Sequence, residues 1–274
     1  MSSKIIVIPV YKNEPNRDES KSFKQGVKVL IEHQICIVTY KDLDISYYIN
    51  ILKKANALFS VEFFSSEYFK SISGYNQLML SLDFYQRFSK YSYLLLYQLD
   101  AWVFEDKLNY WCQQGYDYIG APWFEEGDLV FNNFIIIGVG NGGFSLRKVS
   151  SAIKVLKSIK RIVPSSTIWN LSVFKKLNIR GKIYSSIKLW LAIFYFRNNT
   201  SYLINNCNLN EDYFWSELVS NLFNFYKIPT GEIAMNFSFE VNPRHLFQLT
   251  KKKLPMGCHG FNIFEPDFWK EHIN

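Results

Sequence analysis

Short runs of consecutive apolar residues alternate along this chain with stretches in which apolar residues return every three or four positions. The first pattern predicts strands buried on both faces and the second amphipathic helices. Lys4 to Val10 is a β-branched run and the first predicted strand. Tyr11 to Pro15 is the loop after it, and Arg17 to His33 is a helix that turns Phe23, Val27, Leu30 and Ile31 to one side. Gln34 to Tyr40 is the second strand, Ser46 to Lys54 a short helix and Ala57 to Phe64 a third strand. A helix from Ser73 to about Phe88 places Leu78, Leu82, Tyr85 and Phe88 inward. The aromatic-rich run from Tyr91 to Phe104 is the fourth strand, and it closes on a single carboxylate, Asp100.

The second part of the chain is more broken. Glu105 to Gln114 reads as a short helix closed by Gly115, and Tyr116 to Trp123 as a strand leading into a bend. Glu125 to Asn133 is a polar loop, and Phe134 to Val139 a strand that runs into Gly138-Val139-Gly140-Asn141-Gly142-Gly143. Glycine at that density lets a backbone pass close to a ligand, or turn a bulged hairpin corner. Lys148 to Ile162 is a basic amphipathic helix. Within 180–197, basic ends flank an aromatic middle, which suits a core helix or contact with a membrane surface. Asn210 is a natural N-cap for a helix opening on Glu211 and Asp212, whose charges suit a helix start. Ile233 to Val241 is a last strand with Glu240 near its end, and Pro266 to Lys270 a docked turn.

Strand, loop, helix and strand in that order open a parallel, nucleotide-binding type of sheet, so the class is α/β. No glycine-rich phosphate fingerprint follows the first strand, which disfavours a dinucleotide fold. The 274 residues suffice for one large domain. A net charge of +7 fits an anionic substrate, an anionic membrane surface or nucleic acid. Nucleic acid is disfavoured, because there is neither zinc-finger spacing nor an RNP-like aromatic motif. Cys36, Cys112, Cys207 and Cys258 lack paired spacing and read as reduced thiols. With no signal-like start and no apolar run long enough to cross a bilayer, a cytoplasmic protein is expected. An acid at the carboxyl end of a central strand sits where open α/β sheets bind ligands. Asp100 is therefore a candidate ligand-binding residue, or a strand-capping residue that bonds nearby backbone.

Five blocks in order carry a resemblance. They are Tyr97–Phe104, Tyr116–Trp123, Gly140–Arg147, Asn210–Asp212 and Gly257–His259. Together they resemble a domain-of-unknown-function family of bacterial polysaccharide gene clusters that is itself similar to GT-A glycosyltransferases. The resemblance implies one GT-A-like domain over 1–274, a Rossmann-type mixed sheet flanked by helices, with 1–123 as the nucleotide-sugar half and 124–274 as the acceptor half. It implies transfer of a hexose from a UDP-sugar to a surface polysaccharide or lipid-linked glycan, with inversion and with help from Mn²⁺ or Mg²⁺. Under it, Asp100 and His259 are metal ligands, although Trp102 stands where a second acid is usual. Pro9 and Tyr11 lie along the nucleoside, Asn141, Gly142 and Gly143 beside the donor sugar, and Arg147 or the basic tail meets phosphate. Asp212, with Glu211 as the alternative, takes the proton of the acceptor hydroxyl. The departure at Trp102 leaves two further readings: a metal-independent transferase, and a non-catalytic carbohydrate- or nucleotide-binding module.

Overall fold

The computed structural model of the chain describes residues 3–125, 135–158 and 210–273. The 180–197 segment, most of the polar loop after Glu125 and the end of the helix expected to reach Ile162 lie outside them.

The first strand, β1 (Lys4–Pro9), is followed by helix α1 (Arg17–Val29) and strand β2 (Gln34–Thr39). α1 begins where a capping box forms: Asn16 Oδ1 accepts the amides of Asp18 and Glu19, and Glu19 Oε2 accepts the Asn16 amide. Then come α2 (Ser46–Lys54), β3 (Phe59–Phe63), α3 (Ile72–Met79), α4 (Leu82–Arg87) and β4 (Tyr93–Tyr97). The single helix expected over 73–88 is two, because Ser81 accepts the Phe84 amide and caps a new start.

The apolar run 91–104 also divides. β4 ends at Tyr97, a turn spans Gln98 to Asp100, and β5 (Ala101–Val103) leaves for another sheet. Next are α5 (Leu108–Gln113), β6 (Tyr118–Ile119), β7 (Ala121–Phe124), β8 (Ile136–Gly140), β9 (Phe144–Lys148) and α6 (Val149–Lys157). After Asn210, a helical turn at Glu211–Tyr213 passes into a π-helical stretch, Phe214–Val219, and ends over Ser220–Leu222. The strand expected over 233–241 is corrected. Gly231–Ala234 is a helical turn, and strand β10 holds only Ser238–Phe239. A helix over Pro243–Leu249, strand β11 (Gly257–His259) and a helix over Pro266–Lys270 complete the described chain.

The main sheet runs β3-β2-β1-β4-β9-β6. Its first four strands are parallel, and β9 is antiparallel to both neighbours. The fold is thus α/β, as the order of strands and helices led us to expect, and it has the mixed sheet flanked by helices that the resemblance implied. One face packs on α1, α2 and α5 through Phe23, Val27, Tyr48, Leu52 and Trp111. The other packs on α3, α4, α6 and the 211–222 helix through Leu78, Phe84, Val155, Phe214 and Trp215. Two small sheets, β10-β11-β5 and β7-β8, adjoin it. Because β9 runs against β4, the glycine segment that precedes β9 arrives at the carboxyl end of β4, where Asp100 sits. No helix among the described residues is long and apolar enough to cross a membrane.

Candidate active site

Strand pairing brings three distant residues together. In the β11–β5 ladder His259 lies opposite Ala101, which puts it beside Asp100. In the β10–β11 ladder Phe239 lies opposite Cys258, which puts the following residue, Glu240, beside the same histidine. His259 Nδ1 is 2.7 Å from Glu240 Oε1. His259 Nε2 is 3.2 Å from Asp100 Oδ1 and 3.2 Å from Gln98 Oε1. Burial works against a charged imidazole here, yet the bonds to Asp100 and Glu240 prevail and raise His259 to about 10. Burial works likewise against an ionised Asp100, and the bond from His259 holds its carboxyl below the usual range. Both partners therefore favour positive charge between these oxygens.

The Gly-Asn-Gly-Gly segment forms the floor. Asn141 is buried with φ of 74°, and its Oδ1 accepts the Gly143 amide at 2.9 Å. The Gly143 carbonyl accepts the Gln98 amide at 2.8 Å, tying the segment to the turn that carries Asp100. The backbone here touches side chains that leave no room for a Cβ. A methyl on Gly143 would lie 2.1 Å from His259 Nε2, and one on Gly142 would lie 2.0 Å from Glu211 Oε1.

Glu211 therefore reaches the same floor from the other side. Its Oε1 is 2.7 Å from Arg147 Nη2, and both side chains are almost wholly buried, at 3% and 2% exposure. The guanidinium also donates from Nε to Ser145 Oγ at 3.0 Å and from Nη1 to Tyr85 Oη at 3.2 Å. The second Glu211 oxygen is buried and has no hydrogen-bond partner among the described residues. Desolvation of that carboxylate outweighs the pull of Arg147 and raises its pKa above the ordinary glutamate value. Arg147 stays charged, since Glu211 and the surrounding phenols overcome its own burial. Asp212, one residue on, is half-buried, and its Oδ1 accepts the Tyr213 amide at 2.8 Å.

A cleft of about 420 Å³ opens beside Asp100. Pro9, Tyr11, Tyr68, Tyr75, Gln98 and Asp100 are among the residues lining it. Its volume is that of a small-molecule site.

The sequence-predicted residues divide accordingly. Pro9, Tyr11 and Asp100 share the cleft, His259 meets Asp100, and Gly142 and Gly143 lie between His259 and Glu211. Arg147 is committed to internal partners, so its guanidinium is not presented to a phosphate. Trp102 is buried against Phe261 in a separate apolar cluster. The residue that faces His259 alongside Asp100 stands two positions before it: Gln98. Sequence reasoning missed Gln98 and Glu240. The Gln98-Leu99-Asp100 spacing was a usable signal for the first, while the second is visible only through strand pairing.

The donor set suits a hard divalent ion, with one carboxylate oxygen, one amide oxygen and one imidazole nitrogen converging. Among the described residues no three His, Cys, Asp or Glu side chains do so. The third donor is an amide instead.

The sequence signature of a family described as protein of unknown function (DUF5672) matches residues 58–259. The chain belongs to that family. The span of the DUF5672 match includes Asp100, the glycine segment, Glu211 and His259, and leaves out Pro9 and Tyr11. No curated relative matches the sequence at a significant level. Among solved structures, mouse xyloside xylosyltransferase 1 in its apo form aligns with a TM-score of 0.46 at 9% identity, over 94% of this DUF5672 chain and 97% of its own. Galactosyltransferase LgtC, in complex with donor and acceptor sugar analogs, aligns with a TM-score of 0.45 at 10% identity, over 93% and 86%. A glycosyltransferase involved in glycosylation of the major capsid of PBCV-1 aligns with a TM-score of 0.40 at 10% identity, over 99% and 98%.

Proposed function

We propose that this protein transfers a hexose from a UDP-sugar to a hydroxyl of a surface polysaccharide or lipid-linked glycan. The observation that carries this reading is the position of Gly142-Gly143. The dipeptide lies against His259 on one side and Glu211 on the other, at the sheet end where the Asp100 cleft opens. A nucleoside in that cleft would lie along Pro9 and Tyr11 and bring its diphosphate to Asp100. Residues 1–123 then serve the donor and 124–274 the acceptor.

Asp100 and His259 would hold Mn²⁺ or Mg²⁺, which supplies positive charge to the diphosphate as it leaves. The acceptor oxygen attacks the anomeric carbon as the carbon–oxygen bond to the diphosphate breaks, with inversion, and the bonding pair departs with the diphosphate. The hydroxyl proton passes to Asp212. Glu211 is the less suitable base, because its ion pair with Arg147 already occupies the oxygen nearest the glycine floor. Arg147 acts as a positioning residue that fixes the start of the 211–222 helix.

UDP should raise the melting temperature, and more with Mn²⁺ than with EDTA. Asp212→Asn should lower transfer by about 10²–10⁴-fold, the usual worth of a general base, while leaving the UDP-induced shift intact. Unchanged turnover would refute the base assignment, and no response to UDP in either buffer would refute the nucleotide cleft.

A further inference from the structure

The β7–β8 hairpin carries an aromatic surface that the chemistry so far leaves unused. Trp123 stands opposite Gly138 in the ladder and Ala121 opposite Gly140, so both glycines share the face that bears the indole. The indole lies flat over them, and a methyl on Gly140 would fall 1.9 Å from Trp123 Cε2 and Cζ2. Tyr213, the residue after Asp212, runs nearly parallel to it, with 22° between the planes and 6.5 Å between centroids. Trp123 is half-buried and Tyr213 is 45% exposed, so neither ring is spent in the core. Glu217, farther along the same helix, turns Oε1 toward this face, where a methyl on Gly138 would lie 2.8 Å from it. Two flat rings with a carboxylate at their rim thus adjoin the glycine floor through Gly140 and the candidate base through Tyr213.

We propose that Trp123 and Tyr213 form the platform of a saccharide site, and that Glu217 accepts a hydroxyl hydrogen from the sugar bound there. A pyranose presents C–H bonds on its faces and hydroxyls around its edge. The faces match the two rings and the edge matches the carboxylate. A nucleobase also stacks on aromatic rings, but its phosphates would meet the charges of Asp212 and Glu217. Those charges select a neutral hexopyranose over a uronic acid. That the bound sugar is the acceptor of the transfer rests on the reading above; the platform itself does not.

The test is calorimetric titration of the full chain with neutral gluco-, galacto- and manno-oligosaccharides and with oligogalacturonate, alongside melts with UDP. The wild type should bind at least one neutral series, and bind it more tightly than oligogalacturonate. Tyr213→Ala should weaken that binding about tenfold, and Tyr213→Phe much less, because the ring is kept. Trp123→Ala should cost more, since the indole is the larger surface; Tyr213, the more exposed ring, carries the test if the tryptophan variant does not fold. Glu217→Gln should reduce the discrimination against oligogalacturonate by about tenfold, because a like charge is removed. A glutamate that only shapes the helix would not give that change. The melting shift with UDP should be the same in Tyr213→Ala as in the wild type.

Binding of no neutral series, or undiminished binding in Tyr213→Ala, overturns the proposal. So does loss of the UDP shift in Tyr213→Ala, which would give the rings to the nucleotide. A UDP shift without sugar binding removes the platform and leaves the transferase reading standing. Ring-dependent sugar binding without any response to UDP supports the platform and brings down the transferase reading instead.

Discussion

Two charged arrangements flank the same glycine dipeptide, and they are built in opposite ways. On the His259 side, Asp100, Gln98 and Glu240 surround a ring that keeps 17% of its side-chain surface, and Asp100 opens onto the cleft at 32%. On the Glu211 side, the pair with Arg147 is sealed at 3% and 2%, among Tyr85, Tyr118 and Trp215. The open arrangement has more acceptors than protons and favours added positive charge. The sealed one is close to neutral and has little to offer a ligand except one oxygen with no partner among the described residues. Charge at a sheet end is thus not sufficient to mark a ligand contact. Exposure and an unmatched balance of donors and acceptors separate the site from its support.

The largest expected effect belongs to the sealed pair. Arg147→Met should destabilise the fold by about 3–5 kcal/mol, because it leaves a buried carboxylate without its partner. The double variant Arg147→Met with Glu211→Leu should recover most of that loss, since an apolar pair of similar volume removes both desolvated charges. Denaturant melts check both. A single variant within about 1 kcal/mol of wild type would mean that Glu211 already reaches solvent, and the contrast between the two sides would fail.

Next come the two glycines, which make the comparison within one dipeptide. Gly142→Ala drives a methyl into Glu211, whose carboxylate is fixed by Arg147, so a cost of about 1–3 kcal/mol in stability is expected. Gly143→Ala drives a methyl into the ring of His259, which borders the half-open side and can swing. A smaller stability cost is expected there, together with about a tenfold loss in the Mn²⁺-dependent part of UDP binding. Paired melts and calorimetric titrations separate the two. The same response from both variants would show that the floor moves as one piece and that the two sides are not independent.

Much of this was legible in the chain, for a physical reason. The β1, β2 and β4 runs are apolar on both faces and flanked by strong turn signals, so local pattern alone fixes them as central strands. The candidate role of Asp100 followed from the place where such a strand stops. The break at Gln98 was not legible, because β5 changes sheet only through its pairing with β11, near the other end of the chain. Glu240 was hidden for the same reason, on a run whose β-like composition is overridden by the helical turn at Gly231–Ala234. Arg147 was given to a phosphate by the resemblance alone. Nothing near it in sequence announces Glu211, which the helix packing on the far side of the sheet supplies.

The smallest expected effect tests how far the sealed side is satisfied. Glu211 keeps a folded-state pKa above its ordinary value of 4.5 because burial of its carboxylate outweighs the pull of Arg147. An acid whose pKa is raised by folding adds stability that is fully present below its unfolded pKa and is lost as pH rises through the folded one. The wild type should therefore lose stability, relative to Glu211→Gln, as pH rises from about 4.5 through the raised value. Glutamine cannot ionise, and its own deficit from leaving Arg147 unpaired does not vary with pH in that window. At this chain length a difference of about 1 kcal/mol is a change of about 2–4 °C in Tm, within reach of calorimetry. If instead the wild type gains on the variant as pH rises, the pair with Arg147 outweighs the orphaned oxygen. Glu211 would then be held below the ordinary glutamate value, and the sealed side would be a fully satisfied ion pair with no cost left in it.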